Sequence, residues 1–538
     1  MKSQFNFFGR GLPLRVAITF SCQLAFVLFG YDQGVFSGIV GNTDFLDTFG
    51  NPDSGLEGII VSIYNLGCFS GCILAFFVCE KLGRRKSMWL AMVFIISTRE
   101  LMNRSQIGAI LQTTASSVPH VMIARFVTGI GTGIETSTVP AYQSELCEAD
   151  KRGRLVSSEP LFVGVGIEIA YWLDYGMSFK SGSIAWRLPI AWQMIFAVVV
   201  VVLVFGLPES PRYLYAHGRS EEALQVLCDV YDREPDDIRI QKEQGEILEA
   251  LQLDQLLKRD DVQTGRRVLL AYGAMFMQQV SGINLVVYYV TTVLQVNVGL
   301  DRNLALILGG AINAMFLIGS LLPAFFLDQM GRRRPMMWGS FGCAVSMMMI
   351  AILLSFADRG GTLAHATSSA SVAFFFLRWG CRSILTASQY MLIFGATGNC
   401  IAWAYVPEIL PLHVRAKGTA VGISANWLWN FFVVMITPTI INNLQWKAYL
   451  IFMATNFVFV PLVYFCYPET TRLSLEEIDW LFLEPHVVKA SLDPARIRHA
   501  LNGPGEVKDG EQAGGSPEGQ TGGADDEKKG TRLVERVA

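Results

Sequence analysis

Glu80-Lys-Leu-Gly-Arg-Arg-Lys86 returns in the second half of the chain as Asp328-Gln-Met-Gly-Arg-Arg-Arg334. Each copy closes an apolar run without a charged residue, Ile59 to Cys79 in the first case and Leu304 to Leu327 in the second. Two further pairs recur in the same order. Glu145 with Arg152 is matched by Glu408 with Arg415, and Pro208-Glu-Ser-Pro-Arg212 is matched by Pro468-Glu-Thr-Thr-Arg472. Two related apolar halves punctuated by the same charged loops predict a membrane protein with internal pseudo-symmetry. In such folds a substrate sits between the halves, which rock about it.

Composition agrees. Hydrophobic residues make up 51% of the 538, aromatic residues 12% and charged residues 17%, against roughly 25% charged in soluble proteins. Apolar runs long enough for a spanning helix of ~20 residues begin near Val16, Ile59, Ser87, Val121, Leu161, Leu188, Val268, Leu304, Pro335, Ser371, Gly418 and Ala448. The expectation is an all-α membrane protein with twelve spans, six on each side of a polar loop. Residues 1–207 form the first bundle, 208–266 a loop with short helices such as Ser220 to Tyr231, 267–467 the second bundle, and 468–538 a tail. Beyond about 494 the tail is rich in Gly, Glu, Asp, Lys and Ser, a composition expected to be disordered. Met1 to Arg15 shows no small-residue cleavage site, so no removable signal peptide is expected.

Lys and Arg collect in the connections holding Lys81 to Lys86, Lys151 to Arg154, Arg332 to Arg334 and Arg415 to Lys417, whereas Gly41 to Gly55 is acidic. Basic loops mark the cytoplasmic side. Both termini and the central loop are therefore expected inside.

Polar groups within the spans carry the functional argument, because an ionisable group in a bilayer is expensive to keep. The first span holds Asp32 within Gly30-Tyr-Asp-Gln-Gly34, and the fourth holds Arg125. On neighbouring helices the two could neutralise one another, and protonation of Asp32 would release Arg125, a switch able to couple protons to transport. A static ion pair is the alternative. The seventh span reads Gln278-Gln-Val-Ser-Gly-Ile-Asn-Leu-Val-Val-Tyr-Tyr289. Read as one continuous helix, it sets Gln278 and Asn284 nearly two turns apart and within 120° of each other, with Gln279 beside the first. Amides donate and accept together, which suits a ligand covered in hydroxyls; interhelical amide bonding is the alternative. The paired Tyr288 and Tyr289 are expected to gate the outer side. The tenth span adds Asn399 and Trp403 and the eleventh Asn426 and Trp427. An indole can pack on the C–H face of a sugar while its N–H bonds a hydroxyl.

Other features exclude function classes. The ten Cys residues show no paired zinc spacing and read as small core hydrophobes. Gly129-Ile-Gly-Thr-Gly133 lies within an apolar helix without a preceding strand, so close helix packing explains it better than a dinucleotide loop. No catalytic triad, phosphate loop or metal-ligand set emerges; no enzyme activity, cofactor, metal or nucleic-acid partner is expected.

Two stretches interrupt the spans. Residues 98–106, with Arg99, Glu100 and Arg104, break the third. Three charges near a bilayer centre would cost about 8 to 10 kcal/mol in one continuous helix. Residues 378–389 break the tenth in the same way. Both read as insertions, either short unspliced introns in a conceptual translation or bulges tolerated on the outer side.

These motifs together resemble a sugar porter of the major facilitator superfamily, in its fungal branch, from about Phe20 to Trp480. The resemblance is carried by Gly30-Tyr-Asp-Gln-Gly34, both Gly-Arg-Arg loops, Arg125, Pro208-Glu-Ser-Pro-Arg212, Gln278-Gln-Val-Ser-Gly-Ile-Asn284, Pro407-Glu408 and Pro468-Glu-Thr470. It implies two pseudo-symmetric six-helix bundles. It also places Gln278, Gln279, Asn284, Asn313, Trp403 and Asn426 on sugar-contacting positions, and Asp32 with Arg125 on the proton-coupling pair; passive members tend to carry Asn in place of Asp32. A cytoplasmic charge network would fall on Glu80, Arg84, Arg85, Glu145, Arg152, Glu209, Arg212, Asp328, Arg332, Arg333, Glu408, Arg415 and Glu469. That network is expected to latch the inner ends of the two halves to each other, where a few kcal/mol would bias a two-state carrier.

Three departures bear on substrate. Pro160, preceded by Glu159, stands where these porters usually place a Gln, Glu168 is expected to be an acid without a partner, and Gly395 stands where many relatives carry an acid. The expected function is proton-coupled import of a monosaccharide by a monomer in the plasma membrane. A uniporter, a polyol or glycerol symporter and a non-transporting sugar sensor remain as alternatives.

Overall fold

The computed structural model describes residues 7–39, 42–96, 112–147, 149–256, 262–296, 301–357, 387–411, 414–471, 473 and 475–492. Among these there is no strand. The first bundle comprises α1 (Leu12–Ile39), α2 (Ser54–Leu82), α3 (Arg84–Ile96), α4 (Val118–Leu146), α5 (Ala149–Met177) and α6 (Ile184–Phe205). The second comprises α7 (Thr264–Val280), α8 (Ile283–Val296), α9 (Arg302–Met330), α10 (Arg333–Ala357), α11 (Ala387–Phe394), α12 (Cys400–Ile409), α13 (Arg415–Leu444) and α14 (Ala448–Cys466). The seventh span is thus α7 with α8, and the tenth is α11 and α12 joined by a wide π turn at Gly395–Asn399.

Seven described helices are long and apolar enough to cross a membrane by length and composition. The others are broken, end beside undescribed residues, or carry the polar groups considered below. Large apolar side chains such as Phe77, Val202, Phe325 and Phe465 stand exposed on the outer faces, as befits a surface solvated by lipid chains.

The matched loops end their helices alike. Gly83 closes α2 at φ +86° and Gly331 closes α9 at φ +78°, their N–H groups bonded to the Cys79 and Leu327 carbonyls. This is a left-handed conformation that glycine adopts without strain. Small residues bring helices together. A Cβ on Gly129 or Gly133 would fall 2.3 Å from the Tyr64 carbonyl oxygen or 2.0 Å from that of Cys68, so the glycine run of α4 packs on the backbone of α2. Gly30 and Gly166 join α1 to α5 in the same manner.

The halves meet along two seams, α2 with α13 and α5 with α9. Of the expected insertions, 98–106 lies outside the described residues. For 378–389 only Ala387 to Gln389 are described, and these last three residues belong to α11. The expected disordered tail also lies outside the described residues.

Candidate functional site

The seventh span departs from the continuous helix expected of it. Ser281 and Gly282 separate α7 from α8, with Gly282 at φ +97°. Without that break the polar side chains would be spread around one cylinder. With it they converge. Gln278 Nε2 donates to Asn399 Oδ1 at 2.8 Å, Gln279 Nε2 to Asn426 Oδ1 at 2.5 Å, and Asn284 Nδ2 reaches back to Gln279 Oε1 at 2.7 Å. Asn399 lies in the π turn of the tenth span, a local widening frequent at functional sites, and its Nδ2 donates across the seam to the Pro160 carbonyl at 3.4 Å. Gln278 Oε1 keeps no hydrogen bond, and Asn313 on α9 is buried beside the Tyr171 hydroxyl.

Aromatic rings close the region from the side of the first bundle. Trp403 meets Phe26 at 5.4 Å and Phe29 at 6.0 Å, while Trp427 meets Phe29 at 5.1 Å and donates its N–H to Thr136 at 3.3 Å. The amide and indole side chains singled out from the sequence, Gln278, Gln279, Asn284, Asn313, Asn399, Trp403, Asn426 and Trp427, are buried. Tyr288 and Tyr289 continue on α8, buried as well, and the Tyr289 hydroxyl donates to the Val434 carbonyl at 3.2 Å.

Asp32 and Arg125 come together differently from the direct neutralisation expected. Asp32, 4% exposed, lies 3.4 Å from the Tyr64 hydroxyl, which is also 3.0 Å from Thr132 Oγ1. Arg125 donates to the Val61 carbonyl at 3.0 Å, and its guanidinium sits 3.5 Å from the Phe36 ring centre and 5.3 Å from that of Tyr64. Tyr64 stands between acid and base, and its ring meets Trp427 edge-on at 6.0 Å. The ion site on α1, α2 and α4 is thereby joined to the amide site through one phenol and one indole.

Residues 18–482 match the family described as "Sugar (and other) transporter". The chain belongs to this family. It is 38% identical to "MFS-type transporter oryC" of Aspergillus oryzae, over 89% of this chain and 87% of that one. It is 33% identical to "Sugar transporter STL1" of Saccharomyces cerevisiae, over 91% and 85% respectively. Among solved structures, the proton:xylose symporter XylE bound to 6-bromo-6-deoxy-D-glucose superposes with a TM-score of 0.72 at 25% identity, covering 87% of this chain and 99% of that one. The protein is therefore a multi-pass membrane transporter of the sugar-porter group and not an enzyme.

In this sugar-transporter family member the matched charges corrected one expectation. The Arg84–Glu145 and Arg332–Glu408 pairs, with Glu209 and Glu469, close within each half, while Glu80 and Asp328 do reach across to the other half. Arg84 binds Glu145 through two bonds of 3.1 and 2.8 Å, Ser210 donates to Glu145, and Glu209 accepts the backbone N–H groups of Arg84 and Arg85. The second half repeats this. Arg332 binds Glu408 at 3.1 and 2.7 Å, Thr470 donates to Glu408, and Glu469 accepts the N–H groups of Arg332 and Arg333. Arg85 and Arg333 reach the Phe205 and Tyr464 carbonyls, capping the sixth and twelfth spans. Burial pushes the Glu209 carboxyl up, opposed by the backbone N–H groups it accepts. The reason for the closure is local: the acid ending each fourth or tenth span faces the loop of its own bundle. Arg212 is buried, and the Arg152 side chain lies outside the described residues.

The ties between halves join two acids of the expected set, Glu80 and Asp328, to cations outside it. Lys417 pairs with Glu80, and Arg154 with Asp328 at 3.9 Å. Each cation stands two residues beyond a matched arginine, in Arg152-Gly-Arg154 and Arg415-Ala-Lys417, and crosses to the acid opening the other half's loop. Arg415 itself is buried and within electrostatic reach of Glu145. That second cation repeats in the sequence within two of the basic connections.

Other polar residues also escaped the sequence reading. Glu135 on α4 and Asp174 on α5 are buried, Asp174 beside Gly38 of α1, and Tyr64 joins the two sites. Glu168 is not without a partner, because the Trp172 indole one turn on donates to it at 3.0 Å.

Proposed function

We propose that this chain carries a monosaccharide or polyol together with a proton across the plasma membrane as a monomer, by alternating access of two bundles (1–207 and 267–467). On this reading both termini, the loop 208–266 and the tail 468–538 are cytoplasmic. The observation that carries the proposal is the junction of two buried sites. One is an amide cluster with a spare acceptor at Gln278; the other is a carboxyl group, Asp32, bonded to a phenol instead of locked to its arginine.

The amides of Gln278, Gln279, Asn284, Asn399 and Asn426 now bond one another through three hydrogen bonds, with Gln278 Oε1 left free. Hydroxyls of an incoming ligand exchange with these bonds one for one, so the cluster opens for a polyhydroxylated molecule without leaving buried groups unpaired. Trp403 and Trp427 supply apolar faces for ring C–H groups. A proton arriving at Asp32 removes the negative charge that Tyr64 shares with Arg125. Tyr64 then settles on Thr132, and the Tyr64–Trp427 contact carries the change to the amide site. Tyr288 and Tyr289 close over it from the outer side. At the inner end Glu80–Lys417 and Arg154–Asp328 hold the halves together, while the Arg84–Glu145 and Arg332–Glu408 clusters keep each half rigid as it turns.

The likeness to a proton:xylose symporter supports proton coupling, and the relatives named as sugar transporters support the substrate class. Uptake of labelled xylose, glucose, galactose and glycerol into yeast lacking its own hexose carriers tests the reading. Uptake that a protonophore abolishes, and an Asp32→Asn variant that exchanges substrate but no longer accumulates it, are the expected results. Uphill uptake by Asp32→Asn would refute the coupling role.

A further inference from the structure

Buried acids continue along α1 past Asp32, towards the end of the bundle that carries the Gly-Arg-Arg loops. Glu135 on α4 is 1% exposed and Glu159 on α5 is 0% exposed. Neither has a hydrogen bond on either carboxyl oxygen, and no cation is set against either among the described residues. Both lie within electrostatic reach of the Cys22 thiol on α1, and Glu135 also within reach of Asp32. Glu159 occupies the same face of α5 as Val163 and Gly166, the residues whose backbones meet Gly30 and Val27 of α1. The neighbouring bond from Gln23 of α1 to Ser158 at 3.1 Å keeps that face against α1. An ionised carboxylate with two unpartnered oxygens is far too costly at such depth, so each of these groups is tenable there as a carrier of a proton.

A hydroxyl link joins Asp32 to this line. The Tyr64 hydroxyl stands 3.4 Å from Asp32 and 3.0 Å from Thr132, and Thr132 precedes Glu135 on α4 by one turn. We propose that Glu135 and Glu159 form the inward half of a proton path that begins at Asp32 and runs through the first bundle beside Cys22, apart from the route of the substrate. This rests on the symport reading. When the halves part at the inner end, Glu159 gives its proton to entering water. Glu135 then refills Glu159 through water beside Cys22, and Asp32 refills Glu135 through Tyr64 and Thr132. Every transfer breaks one O–H bond and makes one, no atom changes oxidation state, and the net result is one proton moved from Asp32 to the inner face. The titratable groups facing the path include Cys22, Cys147 and Tyr142 at its inner part and Tyr31, Tyr64, Cys68 and Tyr288 around Asp32, with Arg125 as the cation at the Asp32 level.

The experiment uses the full chain in liposomes, with whichever of labelled glucose, xylose, galactose or glycerol the wild type carries fastest. Two rates are read: exchange at equal pH, which needs no net proton release, and uptake driven by an imposed pH gradient, with internal acidification followed by a trapped dye. E135Q and E159Q are expected to exchange within twofold of wild type but to lose at least tenfold in gradient-driven uptake and acidification. E135D and E159D, which restore a proton carrier, should recover most of that loss. Coupled uptake at the wild-type rate in both Gln variants overturns the path and leaves symport standing. So does an Asp variant that exchanges normally yet stays as uncoupled as its Gln counterpart. A wild type that moves substrate without protons overturns path and symport together.

Discussion

Neutralising the two cross-half cations together, Lys417→Gln with Arg154→Gln, isolates the forces that hold the inner ends closed. Lys417 and Glu80 are 41% and 43% exposed at their side chains, and Arg154 and Asp328 are 49% and 32% exposed. Pairs this wet contribute about 0.2 to 1 kcal/mol each, so removing both should weaken closure by about 0.5 to 2 kcal/mol. At about 1.4 kcal/mol per decade that is a shift of about 2- to 30-fold towards the inward-open form. It falls short of the roughly 5.5 kcal/mol needed to take a carrier from 1:99 to 99:1, so the pairs bias the equilibrium and do not lock it. Cys79 reports the opening. It lines a small crevice at the inner seam with Ala75, Ser137, Thr138 and Ala141 of the first half and Ala416 of the second, and it is buried. The rate at which a charged maleimide modifies Cys79 in the full-length solubilised protein, read by peptide mass spectrometry, should rise in the double variant by that same factor. Salt gives an internal control, since at 1 M the screening length falls to about 3 Å. Wild type in 1 M salt should then approach the rate of the variant, and exchanging the charges, Glu80→Lys with Lys417→Glu, should restore slow labelling at low salt. Equal rates for wild type and double variant at low salt would refute the assignment of closure to these pairs.

The buried clusters behave oppositely. Arg84 and Glu145 are 9% and 0% exposed, so Glu145→Gln, which leaves the arginine charge uncompensated, should cost about 3 to 5 kcal/mol of stability. Thermal unfolding in detergent should show the loss, with Glu408→Gln costing less because Arg332 keeps Asp328 at 3.4 Å. Gly282→Ala should lower both the melting temperature and transport, by about 1 to 3 kcal/mol in stability for the left-handed backbone alone. The added Cβ would also stand 2.8 Å from the Phe452 ring. Gln278→Ala and Asn399→Ala each remove one end of the same bond. Each should raise the KM for substrate by about tenfold, and the double variant should fall short of the product because the two share one interaction.

How much of this was legible follows from what each signal depends on. The Gly-Arg-Arg loops, the acids at 145 and 408 and the Pro-Glu turns announced themselves because a charge that ends an apolar run is conspicuous in one dimension. Which acid meets which base was not, since helices folded back on one another bring bases distant along the chain from either half to the same inner end. Only packing shows that it faces Arg84. The amides were legible as a group, but their convergence needs the kink at Ser281 and Gly282, and the Gly282 that permits it was in plain sight. The π turn at Gly395–Asn399 carries a weaker signal, Gly395 and Gly398 in a span, since glycine in membrane helices also serves close packing. Glu135 was hidden by that same ambiguity. It follows Gly129-Ile-Gly-Thr-Gly133 by two residues, and a glycine run that reads as close helix packing does not say which neighbour it meets, so the acid on its other side has no visible role in one dimension. A helix face cannot be read from the sequence until at least one neighbour is placed. Once Gly129 and Gly133 are set on α2, the 100° step of the helix turns Glu135 away from α2, to the side where Asp32 and Cys22 of α1 are within electrostatic reach.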